Sequence, residues 1–209
     1  MGTKFKKIHK GKAMLDLGTT FLAAVEREPD REAIVDGEVR LTYANYYKCI
    51  SGLVASFDRL GLKPGDHLVS ALRNRWQAAV LHWACQFTGV ILTPVNWRSK
   101  SDEVNYAVQD SEARAIVFED VSAEGVRGAE LDASLHRIAL DECRPGEVSF
   151  ADLVNGSAEA AQPRVSADAW SIMLYTSGTT SRPKGVPRRQ HAERAAAIAH
   201  VAQNLYGYG

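Results

Sequence analysis

The sequence predicts an α/β fold: a largely parallel, layered sheet with helices on both faces. Two observations carry this. Short apolar runs of strand length alternate with segments whose apolar residues recur at three- and four-residue steps, the order that βαβ crossovers require. Two such helical segments end directly before Gly61 and Gly89, where a left-handed C-terminal cap favours glycine.

In chain order, Phe21–Arg27 reads as a short helix ending near Pro29. Ala33–Val35 and Val39–Tyr43 flank Asp36-Gly37, a dipeptide that favours a type I′ hairpin turn. Tyr46, Ile50, Leu53, Phe57 and Leu60 mark one buried helix face, capped at Gly61. Lys63-Pro64-Gly65-Asp66 is a turn and His67–Leu72 a strand. Trp76, Ala79, Val80, Trp83 and Phe87 line a second helix and read as core rather than as a substrate slot. Val90–Val95 is the next strand, with Asn96-Trp97 read as a turn after it.

Ser99-x-x-Asp102 resembles a capping box opening a helix with Val104, Ala107 and Val108 inward. Ala113–Phe118 and Arg137–Leu140 are further strands. Residues 155–168, rich in Ala, Ser, Gly and Gln and holding Pro163, read as a surface linker. Trp170–Tyr175 is then an apolar strand and Glu193–Leu205 an Ala-rich helix. The organisation expected is a basic tail over 1–13, an α/β subdomain over 14–154, the linker, and the start of a second subdomain over 169–209.

Composition excludes several functional classes. The 209 residues carry 25 Lys+Arg against 25 Asp+Glu, and a zero balance argues against a general nucleic-acid binder. The 45% hydrophobic content supports a core and excludes bulk disorder. No apolar run approaches the roughly 18–20 residues of a membrane span, so no spanning segment is expected. Cys49, Cys85 and Cys143 stand far apart, which suggests reduced thiols and a cytoplasmic setting. Lys4, Lys6, Lys7, Lys10 and Lys12 precede no apolar signal region and read as a solvated end, with Met14 opening a cleaner sequence. His82 and Cys85 sit at i, i+3, but two ligands without a second pair make no zinc site. Neither Gly-x-Ser-x-Gly nor Gly-x-Gly-x-x-Gly occurs, which removes the nucleophile-elbow hydrolase and the Rossmann dinucleotide binder.

The chemistry is concentrated in Tyr175-Thr176-Ser177-Gly178-Thr179-Thr180-Ser181-Arg182-Pro183-Lys184-Gly185-Val186. Thr176 to Ser181 hold five hydroxyls and one glycine. Hydroxyls and open backbone N–H groups suit phosphate oxygens, and Gly178 permits a close backbone approach. Lys184 supplies positive charge, with Arg182, Arg188, Arg189 and Arg194 nearby. By composition alone such a cluster fits a phosphate cradle or a plain turn. It is not a Walker loop: Pro183 stands where that loop needs its second Gly, and Gly185 where it needs a hydroxyl. Pro183 also disfavours helix at Arg182, so Lys184 leads into an extended segment.

In residue order the stretch resembles the signature phosphate loop of the adenylate-forming enzymes: acyl-CoA synthetases, aryl-CoA ligases, luciferases and peptide-synthetase adenylation domains. Their pattern is Ser/Thr-Ser-Gly-Thr-Thr-Gly-x-Pro-Lys-Gly-Val, and this chain departs from it at Ser181, where the family usually has Gly. The likeness continues upstream through Leu41-Thr42-Tyr43, Gly61-Leu62-Lys63-Pro64-Gly65-Asp66, Gly89, Pro94-Val95-Asn96, Arg98 and Glu103. His191 stands near where members often have a His after the loop. The resemblance covers the chain from about Met14.

The resemblance implies the start of the large N-terminal domain of such an enzyme and a two-step reaction. A carboxylic acid attacks the α-phosphate of Mg²⁺-bound ATP, and coenzyme A then displaces AMP to give a thioester. It implies Thr176, Ser177, Gly178, Thr179, Thr180, Ser181 and Lys184 as the phosphate-binding set, with Gly185 shaping the turn. Members also carry Tyr-Gly-x-Thr-Glu, a ribose-binding Asp and a late catalytic Lys, none of which occurs before Gly209. The expectation is therefore an N-terminal fragment with no catalytic residue and no metal ligand of its own, and with apolar surface left uncovered. A non-catalytic remnant and an adenylation domain loading a carrier protein are the alternatives. Fatty, cyclic aliphatic and aromatic acids are all compatible substrates.

Overall fold

The first helix, α1 (Leu17–Arg27), begins where the Asp16 carboxylate accepts the Thr19 N–H at 2.7 Å, an N-cap that satisfies one of the open first-turn donors. A computed structural model describes residues 15–156, 159–176 and 182–204. The basic tail over 1–13 and the end of the last helix at Leu205 lie outside the described residues. After α1, β1 (Glu32–Asp36) and β2 (Val39–Thr42) pair antiparallel as a separate two-stranded sheet.

The hairpin turn differs from the type I′ expectation. Asp36 pairs with Val39, so Gly37 and Glu38 are the central residues, and of the two only Gly37 has positive φ (56°). Positive φ at the first central residue alone is the II′ pattern, whereas I′ needs it at both. A Glu at the second position, where the β-carbon penalises left-handed backbone, explains the choice.

Helix α2 (Tyr43–Arg59) buries Tyr46, Ile50, Leu53 and Phe57, and Gly61 follows its end with φ 71°. β3 (His67–Ala71) leads to α3 (Trp76–Thr88), which stops at Gly89 with φ 78°. β4 (Ile91–Pro94) and α4 (Ser101–Asp110) follow. The α4 cap sits one residue later than the sequence suggests. Lys100 is the N-cap residue and its N–H donates to Glu103 at 2.8 Å, while the Ser99 N–H closes a turn on the Asn96 carbonyl. Asp102 is too close in sequence to reach back over a full helical turn from that cap; Glu103 is not.

β5 (Ala115–Phe118), α5 (Asp120–Arg127), β6 (His136–Ala139), β7 (Val148–Ser149) and α6 (Phe150–Val154) complete the next stretch. β8 (Trp170–Thr176), β9 (Lys184–Arg189) and α7 (Gln190–Asn204) end it. The large sheet has seven strands in the order β7-β6-β5-β3-β4-β8-β9, parallel throughout except β8–β9. This is the α/β, largely parallel architecture that the alternating periods predict.

Both faces are covered. Ile50, Leu53 and Phe57 of α2, Val80, Leu81 and Phe87 of α3, and Phe150 and Leu153 of α6 meet Leu68, Leu92, Ala115, Val117 and Ile138 on one face. Val104 and Val108 of α4 with Ala123 and Val126 of α5 meet Val69, Ile116 and Phe118 on the other. Trp76 and Trp83 pack against the first of these clusters, as read. Two glycines permit close helix contacts: a β-carbon on Gly52 would lie 2.3 Å from the Val154 carbonyl oxygen, and one on Gly125 the same distance from that of Ser99.

Within 155–168, Ala161 and Ala167 are buried, the Ala161 N–H donates to Ser51 Oγ at 3.1 Å, and the Arg164 N–H to the Phe87 carbonyl at 2.9 Å. Pro163 closes on Gly18, where a β-carbon would meet it at 2.8 Å. Among the described residues no helix is long and apolar enough to cross a membrane.

Candidate functional site

The carboxyl ends of β3, β4, β5 and β8 share one edge of the sheet, because these strands run parallel. The strand order reverses at β3, with α3 on one face and α5 on the other, and ligands in such sheets bind beyond the carboxyl ends near the reversal. β8 ends at Thr176 on that edge.

β8 and β9 form the two stems of the hydroxyl-rich stretch. Their register pairs Thr176 with Lys184, Tyr175 with Gly185 and Leu174 with Val186. Directly opposed residues of an antiparallel pair project to the same face, so Thr176 and Lys184 stand side by side at the open end of the ladder. Both are exposed, and among the described residues Lys184 makes no salt bridge. Lys184 opens a strand, as the proline before it predicts; Pro183, lacking an N–H, sits just outside an edge strand, where no ladder donor is lost. Gly185 lies inside β9 opposite Tyr175, rather than in the turn, and a β-carbon there would meet Met173 Sδ at 2.7 Å. Ser177, Gly178, Thr179, Thr180 and Ser181 lie outside the described residues.

The surrounding arginines are mostly engaged. Arg188 pairs with Glu193, Arg189 donates to the Asp168 carbonyl and lies over the Trp170 ring, and Arg182 lies 5.3 Å from the centre of the Tyr106 ring. Among the described residues, Lys184 and Arg182 at the stems make no salt bridge.

Sequence reasoning missed two residues beside the stems. Tyr106 and Asp110, one turn apart on α4, reach both sides: Tyr106 Oη donates to the Pro183 carbonyl at 2.7 Å, and Tyr175 Oη donates to Asp110 Oδ2 at 2.7 Å. The two tyrosine rings meet edge to face at 6.0 Å. Burial, with Asp110 beside it, pushes the Tyr175 phenol up, so it stays a neutral donor. The available signal was the i, i+4 spacing of two polar residues on a helix whose other side is apolar.

Along the same edge, Glu119 follows β5 with its side chain fully buried. Its carboxylate accepts the Arg73 N–H at 2.5 Å, Arg73 Nη2 at 2.8 Å and Arg75 Nη1 at 3.2 Å. Burial raises its pKa, and these donors more than offset that, leaving it below the ordinary value. Arg98 stacks 3.6 Å from the Trp97 ring centre, and its N–H closes the Asn96 turn at 3.0 Å.

Behind the stems, Gln190 is fully buried, donating to the Gln86 carbonyl and accepting the Leu17 N–H, each at 2.9 Å. It ties α7 to α3 and α1, while neighbouring His191 contacts the Ala167 carbonyl at 3.2 Å. Among the described residues no group of three or more His, Cys, Asp or Glu is arranged to hold a metal ion.

Residues 21–207 match the family described as AMP-binding enzyme. A mitochondrial medium-chain acyl-CoA ligase of Danio rerio is 28% identical over 199 residues, covering 81% of this chain and 33% of its own length. A 2-succinylbenzoate–CoA ligase of Bacillus licheniformis is 30% identical over 170 residues, covering 77% and 31%. The structure of a Mycobacterium tuberculosis fatty acyl CoA synthetase is similar in fold, with a TM-score of 0.77 at 22% identity over 88% of this chain and 37% of that one. The chain spans about a third of the length of these curated relatives.

Proposed function

The chain belongs to the AMP-binding enzymes, and from that premise we propose that it is the triphosphate-gripping N-terminal part of an AMP-forming acid–CoA ligase. The reaction brings an anionic carboxylate to a polyanion, so its difficulty is electrostatic. In the first step a carboxylate oxygen bonds to the α-phosphorus of ATP and pyrophosphate leaves. In the second a thiol, that of coenzyme A, loses its proton and attacks the acyl carbonyl carbon, and AMP leaves.

This chain's part is to hold the leaving pyrophosphate portion. Thr176, Ser177, Gly178, Thr179, Thr180 and Ser181 donate to β- and γ-phosphate oxygens, and the Lys184 ammonium offsets the charge that builds there. Mg²⁺ bound to the triphosphate supplies further neutralisation. The single observation that carries the reading is the side-by-side exposure of Thr176 and Lys184 at the carboxyl edge of the sheet. Gly185 serves by letting the strand close on Met173.

The same reading takes 14–154 as one α/β subdomain and 169–209 as the start of a second. Three unpaired cysteines fit a reducing, cytoplasmic setting. The substrate class is a carboxylic acid.

Titrating the chain with Mg·ATP by calorimetry tests this. A lost charge-assisted contact costs about 1.5–3 kcal/mol, so Lys184→Ala is expected to weaken binding about 10- to 100-fold. Equal binding by the two proteins overturns the reading.

A further inference from the structure

We propose that Tyr106 and Asp110 of α4 are positioning residues that fix the two stems of the phosphate-binding stretch against each other; this rests on the function proposed above. β9 is an edge strand with β8 as its strand partner, so nothing in the sheet holds its outer side. The tie comes instead from the helix beneath. Tyr106 grips the β9 side through the Pro183 carbonyl, and Asp110 grips the β8 side through the Tyr175 hydroxyl. The edge-to-face contact of Tyr106 with Tyr175 and the placement of Arg182 over the Tyr106 ring join the two grips into one unit.

These bonds bracket the last ladder pair, Thr176 with Lys184: Pro183 lies one residue beyond it, and Tyr175, paired with Gly185, lies one residue within the ladder. They therefore fix the backbone next to Lys184 and the β8 strand opposite it against α4, and so set where the Lys184 side chain starts. Fixing the ends of a binding segment beforehand removes part of the ordering cost that binding otherwise carries.

The test is Mg·ATP titration of the 209-residue chain and its variants, with thermal unfolding recorded alongside. Removing one such hydrogen bond is worth about five-fold in affinity. Y106F, which keeps the ring, and D110A are each expected to weaken binding by about that factor, with the unfolding midpoint lowered by no more than about 2–4 °C. D110N keeps an oxygen acceptor for Tyr175 and is expected to restore binding to within about two-fold of the parent chain. Y106F and D110A binding like the parent while Lys184→Ala is weakened overturns this inference alone, as does D110N losing as much as D110A. Parent and Lys184→Ala binding alike overturns the functional reading and takes this inference with it.

Discussion

The Glu119 carboxylate holds Arg73 by backbone and side chain together: Oε1 accepts the Arg73 N–H at 2.5 Å, and Oε2 accepts Nε at 3.0 Å and Nη2 at 2.8 Å. Glu119 sits at the end of β5 and Arg73 just beyond β3, so the pair joins the two strands at which the sheet changes winding direction.

Replacing the carboxylate is therefore expected to cost more than replacing either arginine. In Glu119→Gln an NH₂ group faces arginine donors in a fully buried position, for an expected loss of about 2–3 kcal/mol. Arg73→Ala leaves Glu119 its backbone donor and Arg75, and should cost less. Urea unfolding measures both, and a reversed order would refute this account.

The glycines separate by what an added methyl group would strike. Gly52→Ala and Gly125→Ala drive a β-carbon to 2.3 Å from a carbonyl oxygen, and backbone does not yield cheaply; each is expected to cost about 1–3 kcal/mol or more. Gly185→Ala meets the far end of the Met173 side chain, which can turn aside, so a loss of less than about 1 kcal/mol is expected. Thermal unfolding of the three variants gives the ranking.

Stability should fall with acid in two stages. Burial lowers the pKa of His67 and of His82 below the ordinary 6.5. The unfolded chain then binds more protons than the folded one below that value, so stability is full above about pH 6.5 and declines as pH falls through the lower folded values. His67→Gln should shrink the difference in urea midpoint between about pH 7.5 and about pH 5.5. A second decline follows below 4.5, where Glu147, held low by hydrogen bonds from Arg127, becomes protonated.

Thiol labelling should resolve three rates. Cys143 is exposed and reacts first. Cys49 is half-buried, with its thiol pushed up by burial, and follows slowly. Cys85 is fully buried, its thiol pushed up further, and should label only on unfolding. A disulfide-exchange reagent with mass detection distinguishes the sites; early labelling of Cys85 would contradict the packing of α3.

The elements legible in the sequence are those set by one local requirement. Gly61 and Gly89 end α2 and α3 because left-handed backbone there suits only glycine. Ile50, Leu53 and Phe57 keep helical spacing because they meet a flat sheet. Elements escaped notice where support comes from elsewhere in the chain. The first turn of α5 is held by Ser122, whose Oγ bonds to the Ala71 carbonyl at 2.7 Å, and its Val121 is exposed, which blurs the apolar period. β7 is two residues long and gains its place only by pairing with β6. The site follows the same division: Lys184 and Thr176 stand out by local order, whereas Tyr106 and Asp110 matter only because α4 passes under β8 and β9.

β8 finds its parallel neighbour β4 through the pairing of Leu92 with Ile172, with α4, β5, α5, β6, β7 and α6 all intervening in the chain. The β8–β9 ribbon, by contrast, closes within its own neighbourhood. Long-range parallel pairings are late and slow steps in assembly, whereas hairpins close in about 1–10 μs. Refolding should accordingly show an early local signal from Trp170 in the ribbon and a slower phase as that ribbon docks onto an already assembled β3–β4 centre. The chain's last-formed joint would then be the one that seats the proposed phosphate-binding stretch on the sheet.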